Sequence, residues 1–340
     1  MKRKPVIAVT PGDPAGIGPE ITLKALASRS LHRVCHPIII GETKILKECA
    51  RAVGIKANLK SVRTLETLKT GPNTVTVFEV AGLGTRKLVP GKISAAAGKA
   101  SLLYLEKAFE LARAGIVDAI ATAPIHKEAI HRAGARGIGH TELLAELSGG
   151  GEPLTLFVCG RLKIFFLTRH LSLRAALREV TYKNVLTTLL RIREEMRALG
   201  TPRPRIAVAA LNPHAGDGGL LGREEIEKIG PAIKDARRRG VAVDGPVAAD
   251  SVFHLALAGK YDCVLSLYHD QGHIAAKTYD FEGSVSVTLG LPVLRTSVDH
   301  GTAFDIAWQG VASPKSMIEA IKVAAQLARK RRKREAGITL

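Results

Sequence analysis

Aromatic residues make up only 4% of the 340 positions, and acidic residues are scarce, 31 Asp and Glu against 50 Lys and Arg. With no aromatic side chains interleaved among the basic clusters, a surface for stacking nucleobases is not indicated. The four cysteines, Cys35, Cys49, Cys159 and Cys263, are scattered without a CxxC pair, which excludes a recognisable thiolate zinc site or disulfide framework. Long apolar runs are missing as well. None reaches the roughly 18 residues needed to span a bilayer, and Val6 to Val9, behind the basic start, is too short for a signal-peptide core. No membrane partner is expected, and a cytoplasmic location is the default. GxGxxG is also absent, with no acidic residue at dinucleotide-fold spacing, so an ordinary Rossmann domain is not indicated.

What is present suits an α/β enzyme packed with Ala, Val, Ile and Leu: 46% of residues are hydrophobic and 33 are glycine. The length fits two lobes better than one domain. The net charge of +19 lies partly in Arg329 to Arg334 and partly on helix faces such as Lys234 to Arg239. Solvated faces and attraction of an anionic substrate account for it, and nucleic acid is not expected as a partner.

Strand and helix patterns alternate, which predicts a largely parallel sheet covered by helices. Several apolar runs too short for helices end in a histidine. Asp262 to Leu267 runs into His269-Asp270-Gln271-Gly272, Lys163 to Thr168 into Arg169-His170, and Arg205 to Leu211 into Asn212-Pro213-His214. Open α/β sheets bind ligands past the carboxyl ends of their strands, so these histidines are placed for function. Three imidazoles without cysteine partners suit a divalent metal with open positions, and imidazole favours Zn, Co, Ni or Fe over Mg. His126 follows the strand Val117 to Ala123 and His140 opens a helix, so spacing alone does not select which three bind. Further strands are expected over Pro5 to Thr10, His36 to Ile40, Asn73 to Val80, Leu154 to Val158, Ser284 to Leu289 and Pro292 to Thr296.

Other residues carry chemistry. Lys277 and Arg295 suit phosphate or carboxylate groups. Asp250 precedes a helix and reads either as its N-cap or as a functional acid. Asp299, His300 and Asp305 bind ribose hydroxyls or tie down a turn. The glycine-rich loops Pro11 to Glu20 and Asn212 to Gly219 each lead into a helix, where a phosphate or nucleotide can be held.

Five segments, TPGDPAGIGPEI (10–21), GHTE (139–142), NPHAGDGG (212–219), HDQG (269–272) and RTSVDHGTAFDIA (295–307), occur in this order. With them the chain resembles, over nearly its whole length, the family of 4-hydroxythreonine-4-phosphate dehydrogenase, within the broader isocitrate and isopropylmalate dehydrogenase superfamily. The resemblance implies a two-lobe α/β/α fold with the active-site cleft between lobes, one lobe from 1–135 with 298–340 and the second, carrying the metal histidines, from 136–297. It implies a homodimer whose site is completed at the interface. His170, His214 and His269 match the metal ligands, for Zn ahead of Co or Mg. His140, Thr141, Lys277 and Arg295 match substrate contacts, and Ser286 stands at a further one. The nucleotide, NAD or NADP, would lie near Asn212, Gly216, Gly218, Asp299, His300 and Asp305. The general base is left open among a metal-bound water, Asp250 and Lys277, and His126 is a structural or secondary residue.

The implied reaction is oxidation of the phosphorylated hydroxy-amino acid 4-phosphooxy-L-threonine, with decarboxylation to 3-amino-2-oxopropyl phosphate, in pyridoxine biosynthesis. Two departures bear on the substrate: Ser286 stands where the vitamin B6 enzymes carry Asn, and Trp308-Gln309 where glycine is usual. Relatives sharing the HTE, NPH and HDQG motifs act on 4-phospho-D-threonate, 4-phospho-D-erythronate or cyclic diol carboxylates, which are the alternatives.

Overall fold

The computed structural model describes residues 3–65, 71, 74–81, 83 and 88–335. Among them are twelve strands: β1 (Val6–Thr10), β2 (His36–Gly41), β3 (Leu59–Val62), β4 (Val75–Glu79), β5 (Ala119–Thr122), β6 (Leu154–Cys159), β7 (Leu162–Phe166), β8 (Ile206–Ala209), β9 (Val243–Val247), β10 (Cys263–Ser266), β11 (Ser284–Leu289) and β12 (Arg295–Val298). Ten of them overlap the expected apolar runs, β12 beginning three residues later than expected, whereas β3 and β9 match no expected strand. Asn73, the predicted start of β4, lies outside the described residues.

The chain forms two compact units, Met1–Pro153 with Val285–Arg329 and Leu154–Ser284 with Lys330–Leu340. In the first the strand order is β3-β4-β2-β1-β5-β12-β11. All neighbours there are parallel except β11, which runs antiparallel to β12. β1 and β5 are buried throughout, as strands covered on both faces must be. The second unit has the order β6-β7-β10-β8-β9, with an antiparallel β6–β7 hairpin and parallel pairs beyond it.

These boundaries differ from those expected at 135/136 and 297/298. Helix His140–Leu147 buries Leu143 and Leu144 in the same core as Val6, Ile38, Leu105 and Ile120. β12 hydrogen-bonds β5, with Arg295 opposite Ile120, and β11 hydrogen-bonds β12. Residues 136–153 and 285–297 therefore belong to the first unit, and with them His140, Thr141, Ser286 and Arg295.

The first glycine-rich loop also differs from its expected role. Every residue from Pro11 to Glu20 is buried. A Cβ on Gly12 would lie 2.1 Å from the Pro124 carbonyl, and one on Gly18 1.9 Å from that of Pro11, so these glycines let backbone pack on backbone. Ile17 N–H donates to the Thr302 carbonyl, and Trp308 Nε1–H to that of Pro14. The loop is a packing device, not a phosphate cradle.

Ser94 caps helix Ala95–Arg113, its Oγ accepting from Ala97 N–H. All four cysteines are buried thiols. The basic C-terminal segment is helical over Lys315–Glu335, and Arg329 donates to the Val34 carbonyl. Among the described residues no helix is long and apolar enough to cross a membrane.

Candidate active site

Arg295 opens β12 and is only 4% exposed. Its guanidinium donates to Thr122 Oγ1 from Nη2 at 2.8 Å and from Nε at 3.1 Å, and to Thr288 Oγ1 from Nη1 at 3.2 Å. These are neutral partners. Burial lowers its pKa to about 9, with the Glu142 carboxylate opposing, so the group stays cationic at neutral pH. The neighbouring His140 opens helix His140–Leu147, and its Nε2 is buried without a partner among the described residues. Burial drives its pKa well below the ordinary value and the Arg295 cation pushes the same way, leaving a neutral imidazole. A buried cation on hydroxyls beside an unpaired ring nitrogen can take an anionic group, with His140 donating in its Nε2–H tautomer. Thr141 adjoins His140 on the same helix, and Ser286, half-buried on β11, pairs with Ser297 of β12.

The second unit holds the three predicted metal histidines. His269 does not lie in a loop but starts helix His269–Tyr279. The centroids of His170 and His269 stand 5.9 Å apart. His269 Nδ1 bonds the Asp270 carboxylate at 2.6 Å, which leaves Nε2 as the ring nitrogen that could meet a ligand. A carboxylate behind a histidine is the usual support of an imidazole ligand, so this pair fits a divalent cation. His214 is exposed, and among the described residues no group of three or more His, Cys, Asp or Glu is gathered closely enough to hold a metal within one chain.

The loop that carries His214 has an unusual backbone. His214 to Gly218 all have left-handed φ and ψ, and His214, Ala215 and Asp217 are not glycine. The buried Glu225 holds its entrance: Oε1 accepts from Leu211 N–H at 2.8 Å and Asn212 N–H at 2.7 Å, while Oε2 accepts from Asn212 Nδ2 at 2.8 Å. Glu224 also takes an Asn212 Nδ2 bond. Gly216 packs on Glu225, since a Cβ there would lie 3.0 Å from Oε2, whereas Gly218 has open space. Of the two predicted glycine contacts in this loop, only Gly218 has open space where a Cβ would sit.

Lys277 lies in the last turn of the His269 helix, with Nζ 4.8 Å from the Phe281 ring centroid. Asp250 is not an N-cap: helix Ala249–Leu257 is capped at Ala248, and Asp250 sits exposed in the first turn. In the first unit Asp299 and His300 are half-buried and Asp305 is exposed. His300 Nδ1 bonds the Gly301 carbonyl, and the Asp305 carbonyl accepts from Gln309 Nε2, so part of this segment ties down its own turn. His126 caps helix Lys127–Arg132, its Nδ1 accepting from Ala129 N–H, and stacks on Phe304 at 4.7 Å. Sequence reading missed Thr122, Glu225 and His273. Only His273 had an available signal, its four-residue spacing from His269, once that stretch is taken as helix.

The family described as pyridoxal phosphate biosynthetic protein PdxA matches residues 33–324. A protein of Clostridium botulinum provisionally named D-threonate 4-phosphate dehydrogenase is 46% identical over 98% of this chain and 100% of its own length. A protein of Symbiobacterium thermophilum with the same name is 48% identical over 96% of this chain and 98% of its own. The structure of 4-hydroxythreonine-4-phosphate dehydrogenase from Klebsiella pneumoniae superimposes with a TM-score of 0.89 at 41% identity, covering 96% of this chain and 100% of that one.

Proposed function

Since the chain belongs to the PdxA family and is an oxidoreductase of the dehydrogenase type, we propose that it catalyses the NAD(P)-linked, divalent-metal-dependent oxidation of 4-phospho-D-threonate with loss of carbon dioxide. The observation that carries this is the buried, neutrally partnered Arg295 beside the unpaired Nε2 of His140, a built receptor for a phosphate or carboxylate. The hydroxyl in place of an amine at the substrate's second carbon is supported by Ser286, shorter than the Asn of the vitamin B6 enzymes. It is also supported by the names of relatives at 46% and 48% identity.

In this reading Arg295 and His140, with Thr141, hold one anionic end and fix the reacting carbon. Hydride leaves the third carbon for the nicotinamide, and the hydroxyl proton passes to a base, for which Lys277 and Asp250 are the candidates. The resulting 3-oxo acid loses carbon dioxide, leaving dihydroxyacetone phosphate. His170, His269 and His214 are the proposed holders of a divalent cation, zinc ahead of cobalt or magnesium, with Asp270 behind His269. When bound, such a cation supplies a Lewis acid that lowers the hydroxyl pKa and stabilises charge on that oxygen. Gly218 and the Asp299 to Asp305 segment are the proposed nucleotide contacts. A homodimer completes the reading, supported by the exposed Leu171, Leu173 and Leu177 beside His170 and Ile274 on the His269 helix.

A second reading, 4-phosphooxy-L-threonine as substrate and pyridoxal phosphate biosynthesis as the pathway, is favoured by the family description and the name of the Klebsiella pneumoniae structure. The same steps then give 3-amino-2-oxopropyl phosphate. Comparing kcat/KM for the two substrates with NAD and NADP decides. The first reading expects the threonate to rank higher by at least tenfold, and the reverse order overturns it in favour of the second.

A further inference from the structure

His273 lies one helical turn beyond His269, so the two rings share a face. Their planes are 10° apart with centroids at 3.9 Å, a close parallel stack. On its other flank His273 stacks on Phe166 at 4.5 Å, and Phe157 meets it at 4.7 Å. Both phenylalanines are buried, in β7 and β6. The ring is also fixed in rotation, because its Nδ1 bonds the His269 carbonyl at 2.9 Å. A carbonyl only accepts, so Nδ1 carries the proton. The result is a column running from the core outward: Phe157 and Phe166, then His273, then His269, with His170 beyond at 5.9 Å.

His269 is held at its edge by the Asp270 carboxylate and on its face by His273. An edge contact alone leaves a ring free to swing about the axis of that hydrogen bond, and a face contact removes this freedom. We propose that His273 is a positioning residue that transmits the rigidity of the β6–β7 core to the imidazole of His269, setting the direction of its Nε2 toward a divalent cation. The inference rests on the proposed metal role of His269 and says which further residue that role needs. It requires a flat ring at position 273, not a second ligand.

The test uses the full-length protein and Co²⁺, with affinity read by chelator competition and ligand geometry by the visible absorption of the bound ion. Support for an imidazole ligand is typically worth about 10- to 100-fold in metal affinity. His273→Ala is expected to weaken Co²⁺ binding by about that factor and to broaden its absorption bands, while His273→Phe, which keeps the stack, stays within about threefold of the parent. His269→Ala is the reference. If His269→Ala binds Co²⁺ as the parent does, the metal reading itself fails. If His269→Ala loses Co²⁺ but His273→Ala does not, the metal reading stands and the positioning role is overturned. If His273→Phe is as weak as His273→Ala, stacking is not the cause and the proposal is likewise overturned. Unchanged melting temperatures in both His273 variants separate these outcomes from loss of fold.

Discussion

Replacing Glu225 with alanine tests how the His214 loop is held. Left-handed backbone costs about 1–2 kcal/mol for each non-glycine residue, so His214, Ala215 and Asp217 together weigh about 3–6 kcal/mol against the observed loop. Glu225 is 3% exposed and accepts from Leu211 N–H, Asn212 N–H and Asn212 Nδ2. Hydrogen bonds to a charged acceptor contribute about 1.5–3 kcal/mol each, so the three offset about 4.5–9 kcal/mol. The two ranges overlap, which makes the carboxylate the difference between a held loop and a relaxed one. Once it is removed, the strain is relieved by local release of 211–218 and not by global unfolding. Hydrogen exchange read by residue is the assay. Amides of Leu211 and Asn212 are expected to exchange at least about 100-fold faster in Glu225→Ala, equivalent to about 2.8 kcal/mol, while those of β8 and β10 hold. Glu225→Gln, which keeps one acceptor oxygen and sets an NH₂ against a donor, falls between. Unchanged protection at Leu211 and Asn212 in Glu225→Ala would refute the clamp.

Three further outcomes follow from the first unit. Arg295→Met is expected to lower kcat/KM by about 100-fold or more, the cost of losing a buried charge-assisted pair, while leaving the melting temperature equal or higher because an unpaired buried cation is gone; binding of inorganic phosphate by calorimetry separates the two effects. Burial raises the Asp13 carboxyl from its ordinary range to about 6, and its Oδ2 has no partner among the described residues. Because the folded chain holds this proton more tightly than the unfolded one, the penalty is absent below pH 3.8, grows between pH 3.8 and about 6, and is complete above that. Its full size is about 3 kcal/mol. Asp13→Asn is expected to melt higher than the parent above pH 6, with the gap closing toward pH 4; a gap independent of pH contradicts this. Ser286→Asn is expected to shift preference toward 4-phosphooxy-L-threonine by about tenfold in the ratio of kcat/KM, roughly one hydrogen bond's worth, and no shift would remove Ser286 from substrate selection.

The strands that organise both units were legible because buried parallel strands are written as short apolar runs. VIAVT for β1 and CVLS for β10 carry no competing pattern. The histidines at or beyond the ends of β7, β8 and β10 were legible for the same reason. Other features depend on partners distant in sequence, which local pattern does not encode. GDPAG reads as a glycine-rich loop open to a phosphate, yet it is buried because its glycines admit the backbone of Pro124 and Thr302. HDQG reads as loop from its polarity, but Gln271 turns back, accepting from Leu267 N–H and donating to the Ala210 carbonyl, and the segment is helical. The unit boundaries were misplaced because 136–153 and 285–297 join the first unit through core contacts and strand pairing, not through any shift in composition. Glu225 had no sequence signal, since an acid between Glu224 and Ile226 reads as a solvated helix face.

The most direct test of the proposed chemistry supplies 4-phospho-D-threonate labelled with ¹³C in its carboxyl group, together with NAD(P) and Zn²⁺ or Co²⁺, and measures labelled carbon dioxide against reduced nucleotide. Oxidative decarboxylation predicts one labelled carbon dioxide per nucleotide reduced, with dihydroxyacetone phosphate as the remaining product. Nucleotide reduction with the label retained in a stable acid, or no reduction with either nucleotide, would contradict it.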